Sequence, residues 1–182
     1  MNLQGQLLAA HPNLSPRDPF FQTVIYLTSH APTTGAVGFV LNSPSMVTVG
    51  AVCALKDCDT DSPEPMRHGG PLDEDSVFML HSDDWISSST ADVGNGLCIS
   101  TDRAMLDKLG MSEPAYWRMF AGYCGWGPGQ LEAELKGEPP FTAHHSWVVT
   151  DYSDELVFGS DTAEQWQAVI EQAGKTLFDR FF

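Results

Sequence analysis

Short apolar blocks separated by turn residues constrain the fold of this chain more than any other feature. Blocks such as TVIYLT (23–28), VFMLH (77–81) and WVVT (147–150) are rich in β-branched and aromatic residues, and Pro or Asp follows each within a few positions. Helical patterns are fewer, and they do not alternate with the strands in a regular βαβ order. The sequence therefore predicts an α+β fold. A length of 182 residues predicts one domain over residues 1–182.

The clearest motif joins a strand to a helix. From Tyr116 to Tyr123 the side chains alternate with the period of two that is typical of a strand. The strand leads into GYCGWGPGQLEAEL (122–135), where glycines and a proline precede good helix formers. Such a corner can aim N–H groups at an anion, but it lacks the phosphate-loop Lys and Ser/Thr, and Glu132 and Glu134 stand early in the helix. The pattern favours a structural turn, with Trp126 in or beside the core.

Other local patterns predict the remaining elements. They are strands over 3–10, 36–42 and 97–100, a helix over 49–55 capped by Thr48, a helix over 101–109, a hairpin of 147–150 with 156–158, and a terminal helix that a capping box of Asp161 and Glu164 begins and Gly174 ends.

The charge balance excludes several classes of partner. Nine Lys and Arg face 24 Asp and Glu, for a net charge of −15, and the basic residues are scattered singly. Because nucleic-acid affinity depends on clustered Lys and Arg, we expect no direct binding of DNA or RNA, and none to an anionic membrane. Protein or cationic partners suit the chain better, although an acidic surface also simply keeps a protein soluble.

The N-terminus and the cysteines indicate a compartment. The sequence has no basic n-region of a signal peptide and no apolar run long enough to span a membrane, so we expect a cytoplasmic protein. Four cysteines are dispersed without a CxxC pair, which predicts reduced thiols rather than a zinc ribbon or a disulfide framework.

The histidines and the acidic loop raise the question of a metal. His30, His68 and His81 could converge, but no metal-binding spacing such as HExxH occurs, and the adjacent pair at 144 and 145 would point to opposite faces of a strand. Asp57, Asp59 and Asp61 alternate as in a calcium loop, but Ser62 and Pro63 break the pattern. We expect no metal site and no cofactor, with hydrogen-bonded structural histidines and a solvated loop.

Several blocks together resemble a known family. LQGQLLAAHP, GAVGFVLNSP, HGGPL and GYCGWGPGQLEAEL occur in the family's order from about residue 3, and the resemblance continues to about residue 170. The chain is similar to the bacterial YqgE/AlgH family. Two departures stand out: Cys124 occupies a position where a small residue such as alanine is usual, and an acidic insert covers 57–64.

The resemblance implies a fold more than a function. Members are α+β proteins with a complex mixed or antiparallel sheet, partly closed like a barrel, and a few short helices packed around it. The resemblance implies no agreed active site or cofactor. One branch is named for regulating alginate synthesis. A nearby helix N-terminus would lower the pKa of Cys124, yet an activity common to the family cannot depend on a thiol that other members lack.

Two hypotheses of function follow. The first is a non-enzymatic cytoplasmic protein that acts through protein contacts, with an indirect effect on transcription. The alternative is a small-molecule-binding protein or a hydrolase-like enzyme that uses turn residues around His68, His81 and Gln130. Because function tends to lie in turns, both hypotheses use one surface. Its residues are Asn42, Pro44, His68, Gly69, Gly70, Pro71, His81, Trp126, Gln130 and Glu132. The oligomeric state stays open.

Overall fold

The computed structural model describes residues 2–139, 146–159 and 162–181. In chain order the strands are β1 Leu7–Ala10, β2 Val24–Ala31, β3 Gly35–Val40, β4 Pro44–Thr48, β5 Pro65–His68, β6 Leu72–Ser82, β7 Ala91–Gly94, β8 Leu97–Ser100, β9 Trp117–Trp126 and β10 Trp147–Thr150. The helices are α1 Val49–Leu55, α2 Arg103–Leu109, α3 Gln130–Lys136 and α4 Gln165–Phe181. A π-helical turn covers Glu155–Gly159.

Unit 1 comprises Met1–Asn42 and Cys124–Phe182. β1 pairs antiparallel with β2 and β10, and β3 pairs antiparallel with β2 and with the end of β9, where Ala36 lies opposite Trp126. The buried apolar cluster of this unit contains Leu3, Leu8, Ala10, Ile25, Leu27, Ala36, Val40, Cys124, Trp126, Leu131 and Trp147.

Unit 2 comprises Ser43–Tyr123. Its strands follow the order β4, β5, β9, β6, β8, β7, in which β5 and β9 are parallel and the other pairs are antiparallel. Its buried cluster contains Val49, Cys53, Cys58, Met66, Met79, Trp85, Met105, Leu106, Leu109, Trp117 and Met119. The strand β9 therefore supplies residues to both units, because the boundary between them falls after Tyr123.

These elements confirm the predicted α+β class, with a mainly antiparallel sheet and a few helices. The strand that was predicted from Tyr116 to Tyr123 runs further, to Trp126, and α3 begins after the glycine turn as expected. Thr48 caps α1, since its hydroxyl accepts a hydrogen bond from the Ala51 N–H at 3.2 Å. Asp102 caps α2 in the same way, accepting from the Met105 N–H at 2.8 Å.

Two predictions about the C-terminal region are wrong. Residues 156–158 do not form the second strand of a hairpin but lie in the π-helical turn, where the Gln165 amide donates to the Leu156 carbonyl. Gly174 does not end α4, which continues to Phe181, because one glycine inside a helix costs only about 1 kcal/mol. The predicted capping box includes Asp161, which lies outside the described residues.

The helix α1 ends in a Schellman motif. The Cys58 N–H donates to the Cys53 carbonyl at 2.9 Å, and the Asp57 N–H donates to the Ala54 carbonyl at 3.3 Å. Asp57 takes the left-handed conformation that this motif requires, with φ of 54°. The start of the predicted calcium-like loop is therefore the end of a helix.

Gly122 and Gly129, in the GYCGWGPG segment, both have positive φ angles but differ in how closely other atoms approach them. Gly122 has φ of 71°, and a Cβ at this position would lie 2.5 Å from the Gly70 carbonyl oxygen and 2.8 Å from that of Leu72. Gly129 has a similar φ of 73°, but nothing lies within 4 Å of its Cβ position.

We therefore expect Gly129→Ala to lower the free energy of unfolding by about 1 kcal/mol through backbone strain alone. Gly122→Ala should lower it by about 3 kcal/mol, because fixed backbone atoms add a clash that no rotamer relieves. Urea unfolding of the two variants measures the difference. Equal losses would show that the close approach at Gly122 is unimportant.

Candidate functional site

The corner between β9 and α3 is organised by one buried carboxylate. Glu134 is 8% exposed, and its Oε2 accepts hydrogen bonds from the indole N–H groups of Trp126 at 2.9 Å and Trp147 at 2.8 Å. Its Oε1 accepts from the Gln130 side-chain amide at 2.9 Å. An indole N–H can only donate, so the carboxylate is the acceptor that both rings need when they are buried.

Gln130 closes the glycine turn that precedes α3. Its Oε1 accepts a hydrogen bond from the Gly127 N–H at 3.0 Å, while its amide holds Glu134. Trp126 is 7% exposed and packs edge to face against Trp147, with ring centroids 6.1 Å apart. Both residues that the sequence placed on a candidate surface therefore make their polar contacts inside unit 1.

His30 and Glu132 form a second contact of the same helix. The Leu3 N–H donates to His30 Nδ1 at 3.1 Å, so the ring proton is on Nε2, which lies 2.9 Å from Glu132 Oε1. His30 is buried, and the Glu132 side chain is 26% exposed. The carboxylates of Glu132 and Glu134 are thus hydrogen-bonded to side chains of unit 1. Their negative charge near the start of α3 opposes the binding of an anion at the turn. His30 has the structural role that was expected for the histidines.

His81 lies in the interior of unit 2 rather than on the predicted surface. It has no exposed area, and its Nδ1–H donates to the Ser82 carbonyl at 2.9 Å. Its Nε2 therefore accepts from the Ser100 hydroxyl at 2.9 Å, and the Ser100 oxygen in turn lies 2.7 Å from the Thr90 hydroxyl. Burial lowers the pKa of His81, which keeps the ring neutral.

The pair of Ser100 and His81 has the polarity of a serine and its general base, with the hydroxyl donating to the imidazole. Ser100 is also fully buried, however. Because neither side chain has exposed area, a substrate carbonyl does not reach the Ser100 oxygen in this conformation. The arrangement as it stands supports packing rather than hydrolysis.

The remaining candidate residues occupy turns and strand ends. The Asn42 side chain accepts from the Val24 N–H at 2.9 Å and donates to the Gln22 carbonyl at 2.8 Å, so it fixes a turn of unit 1. In unit 2, Pro44 lies opposite Arg67 on paired strands, and the His68 N–H donates to the Ser43 carbonyl at 2.9 Å.

Part of the HGGPL segment is exposed. The Gly69 N–H binds the Ala121 carbonyl at 2.9 Å, and the Gly70 carbonyl is the atom that approaches Gly122. The side chains of His68 and Pro71 are exposed to solvent. Of the predicted surface in unit 2, therefore, Pro44, His68 and Pro71 are accessible.

Cys124 does not have the activated thiol that a nearby helix N-terminus suggested. Its side chain is 2% exposed in the core of unit 1, and burial raises its pKa to about 12. The dipole of the short helix α3 does not compensate for the loss of water around a thiolate. The prediction of a lowered pKa was wrong.

The acidic loop alternates between solvent and core. Asp57, Asp59 and Asp61 are exposed, whereas the intervening Cys58 and Thr60 are buried. Within residues 2–139, 146–159 and 162–181, no three His, Cys, Asp or Glu side chains are grouped in a way that could hold a metal ion. The pair at 144 and 145 lies outside those ranges.

A cleft of about 430 Å³ opens beside β6 in unit 2, a size that suits a small ligand. The register of β6 against β9 shifts between Leu72 and Val77, and Asp73 in this bulge has φ of 52°. Sequence reasoning did not identify this cleft. Its walls include the charged residues Lys56, Asp73, Asp75, Asp102 and Arg103 and the apolar residues Val77, Phe78, Met105 and Leu106.

Comparison with known proteins identifies the family. A family model described as AlgH-like matches residues 7–177 of the chain. The chain belongs to the AlgH-like family. This confirms the resemblance drawn from the sequence blocks, and the family is one of uncharacterised function.

Relatives in this family are similar over nearly their whole length. A UPF0301 protein of Vibrio atlanticus is 32% identical over 96% of this chain and 93% of its own length, and one of Sphingopyxis alaskensis is 36% identical over 93% and 88%. The solution structure of the AlgH protein from Pseudomonas aeruginosa matches with a TM-score of 0.77 and 29% identity, over 96% of this chain and 90% of that one.

A crystal structure from Corynebacterium diphtheriae shares the fold, with a TM-score of 0.72 and 22% identity over 93% of this chain and 86% of that one. In the part of the AlgH-like chain that the structure describes, no helix has both the length and the apolar character to cross a membrane.

Sequence reasoning missed the role of Glu134 in this AlgH-like chain. The signal was the spacing of Gln130 and Glu134, four residues apart, which places both on one face of a helix. No local pattern indicated that Trp147, from a distant strand, would supply the second indole. The hydrogen-bonded group of Ser100 and Thr90 around His81 was also missed, because serine and threonine are common in turns.

We expect Glu134→Leu to lower the free energy of unfolding by about 3–5 kcal/mol, because it leaves two indole N–H groups and an amide without their acceptor. Glu132→Leu, on the same helix but with one hydrogen bond and partial exposure, should lower it by about 1 kcal/mol. Urea denaturation followed by circular dichroism compares the two. Similar losses would mean that the buried carboxylate does not organise the corner.

Proposed function

We propose that this chain is a non-enzymatic protein of the cytoplasm that acts through protein contacts and affects transcription only indirectly. The observation that carries the proposal is the difference in solvent exposure between the polar and the apolar residues of the chain. The groups with catalytic chemistry, such as His81, Ser100 and Cys124, are buried, whereas large apolar side chains of unit 2 project into solvent.

The contact is centred on what we call the β4–β5 surface, formed by Pro44, Met46, Glu64 and His68. Met46 is 100% exposed. Exposed methionine is flexible and polarizable, which suits it to adapt to a partner's apolar side chains. Burial of such a side chain contributes about 1.5–3 kcal/mol to binding.

Side chains rather than backbone make this contact. The Ser45 hydroxyl accepts from the Val47 N–H at 3.0 Å and donates to the Val47 carbonyl at 3.2 Å. These backbone groups of the edge strand β4 are thereby occupied, which opposes the addition of another strand at this position.

The partner we propose is a protein that presents a basic and apolar segment. Glu64 is exposed beside the end of β4, since its carbonyl accepts the Val49 N–H at 2.8 Å, and Asp61 is exposed on the same connection. With a net charge of −15, the whole chain attracts cations and repels nucleic-acid phosphates. Any effect on transcription therefore passes through the partner.

A matched pair of methionine variants tests this surface. Met46→Lys should weaken capture of a basic partner from bacterial extract at least tenfold, because it removes apolar area and introduces repulsion. Met111→Lys changes an equivalent residue, 82% exposed elsewhere in unit 2, and should leave capture unchanged. The dissociation constant of the captured protein, measured by calorimetry at low and high salt, gives the magnitude.

Equal loss in both variants, or none in either, would contradict the proposal, as would a shift of arbitrary duplex DNA by the wild-type chain at physiological salt. Trp126→Ala is unsuitable for this test. Because Trp126 is buried and bound to Glu134, the substitution would disrupt the corner whether or not a partner binds there.

The cleft beside β6 favours a second candidate, the binding of a small zwitterion. Lys56 and Arg103 would hold the carboxylate, Asp73 and Asp75 the ammonium group, and Phe78 the apolar side chain. This version of the small-molecule alternative uses neither His68, His81 nor Gln130.

For this candidate we expect millimolar free amino acids with long side chains to raise the melting temperature of the wild-type chain. Asp75→Asn should abolish that rise, whereas Asp92→Asn, an exposed carboxylate on β7, should retain it. A panel of free amino acids in a thermal shift assay makes the measurement. If no amino acid raises the melting temperature, or if Asp75→Asn retains the rise, the cleft is not such a site.

A further inference from the structure

The end of α1 brings two cysteines together. In a Schellman motif the residue three positions before the helix end frequently packs against the second residue beyond it. Here these residues are Cys53 and Cys58, joined by the hydrogen bond from the Cys58 N–H to the Cys53 carbonyl at 2.9 Å. Both side chains belong to the same buried cluster of unit 2, and both thiols are free.

This hydrogen bond limits the distance between the two Cα atoms. A Cα lies about 2.4 Å from its own carbonyl oxygen and about 1.5 Å from its own nitrogen. With 2.9 Å between oxygen and nitrogen, the Cα atoms of Cys53 and Cys58 are at most about 6.8 Å apart, and the bends at both atoms bring them closer. Disulfides span Cα separations of about 4.4–6.8 Å, so the upper limit for this pair lies within the distance that a disulfide bridges.

The surroundings of the pair determine how it would react. Cys53 has no exposed area and Cys58 is 8% exposed, so an external reagent reaches Cys58 first. Burial raises the pKa of both thiols, and Asp107 raises that of Cys58 further. Because the thiolate is the reactive form, attack is slow and requires sustained exposure to an oxidant.

We propose that Cys53 and Cys58 form an intramolecular disulfide when the folded chain meets a low-molecular-weight disulfide such as oxidised glutathione. The Cys58 thiolate attacks one sulfur of the reagent, forming a mixed disulfide and releasing one glutathione thiolate. The Cys53 thiolate then attacks the Cys58 sulfur and releases the second glutathione. Each protein thiol loses one proton, the two cysteines are oxidised by two electrons, and one oxidised glutathione becomes two reduced molecules.

This modification is conditional. Reduced glutathione in the cytoplasm keeps such a pair open, and a shift of the pool towards the oxidised form closes it. The new bond joins the last turn of α1 to the loop beyond Asp57, and α1 itself begins directly after β4. Oxidation therefore fixes the helix that follows the β4–β5 surface.

Peptide mapping of the wild-type chain tests the proposal directly. The folded protein is incubated with oxidised glutathione, and the remaining thiols are alkylated in denaturant. Alkylated cysteines should fall from four to two. Trypsin cleaves after Lys56, which lies between the two cysteines, so a non-reduced digest should contain the Cys53 and Cys58 peptides joined only by their disulfide.

Cysteine variants and tryptophan fluorescence test whether the disulfide forms between Cys53 and Cys58 in the folded protein. The double variant Cys98→Ala/Cys124→Ala should still lose both remaining thiols, and Cys58→Ala should keep all three of its thiols. Tryptophan fluorescence should remain native throughout.

Three results obtained with the folded protein would each overturn the proposal. They are four alkylated thiols after oxidation, a bond to Cys98 or Cys124, and glutathione left on Cys58 as the end product. Bond formation only after the fluorescence reports unfolding would overturn it as well.

Discussion

The buried carboxylate of Glu134 is the contact on which the organisation of unit 1 depends. One oxygen accepts hydrogen bonds from the indole N–H groups of Trp126, at the end of β9, and of Trp147, at the start of β10. The other oxygen accepts a hydrogen bond from the Gln130 side-chain amide on the same helix. A buried charge is tolerable only when hydrogen bonds replace its hydration, and here three donors from two strands and a helix do so. The need of the Glu134 carboxylate for these hydrogen bonds therefore fixes the position of α3 against the sheet of unit 1.

The same principle explains why the chemistry-bearing residues are poor guides to function in this chain. His30, His81 and Ser100 each lie in the interior, where neighbouring donors and acceptors satisfy them. Their polar atoms stabilise the fold. The exposed side chains that need an explanation are apolar, such as Met46, which is why the proposed function depends on contact rather than on catalysis.

Much of the fold could be predicted from the sequence, for a physical reason. Blocks such as 23–28 and 97–100 are apolar enough to form buried strands wherever they pair, so local pattern is sufficient. β4, β5 and β7 were missed because PSMVT, PMRH and ADVG contain few strand-forming residues. Pairing with their neighbours makes them strands, and pairing partners are distant in sequence.

The candidate site was less predictable, because exposure depends on tertiary contacts. A glycine-rich turn next to a tryptophan looks the same in sequence whether the ring meets solvent or a buried carboxylate. The left-handed Asp57 was equally hidden, because it stands in an acidic run that has the composition of a loop. For the tryptophan, the deciding group is the Glu134 carboxylate, whose position the glycine-rich pattern does not fix.

The edge-to-face pair of Trp126 and Trp147 has an optical consequence. Two indoles with centroids 6.1 Å apart, both hydrogen-bonded to one carboxylate oxygen, have electronic transitions that couple and that sense the charge beside them. The corner between β9 and α3 thus contains an intrinsic chromophore. Its near-ultraviolet signal reports the assembly of that corner separately from the secondary structure around it.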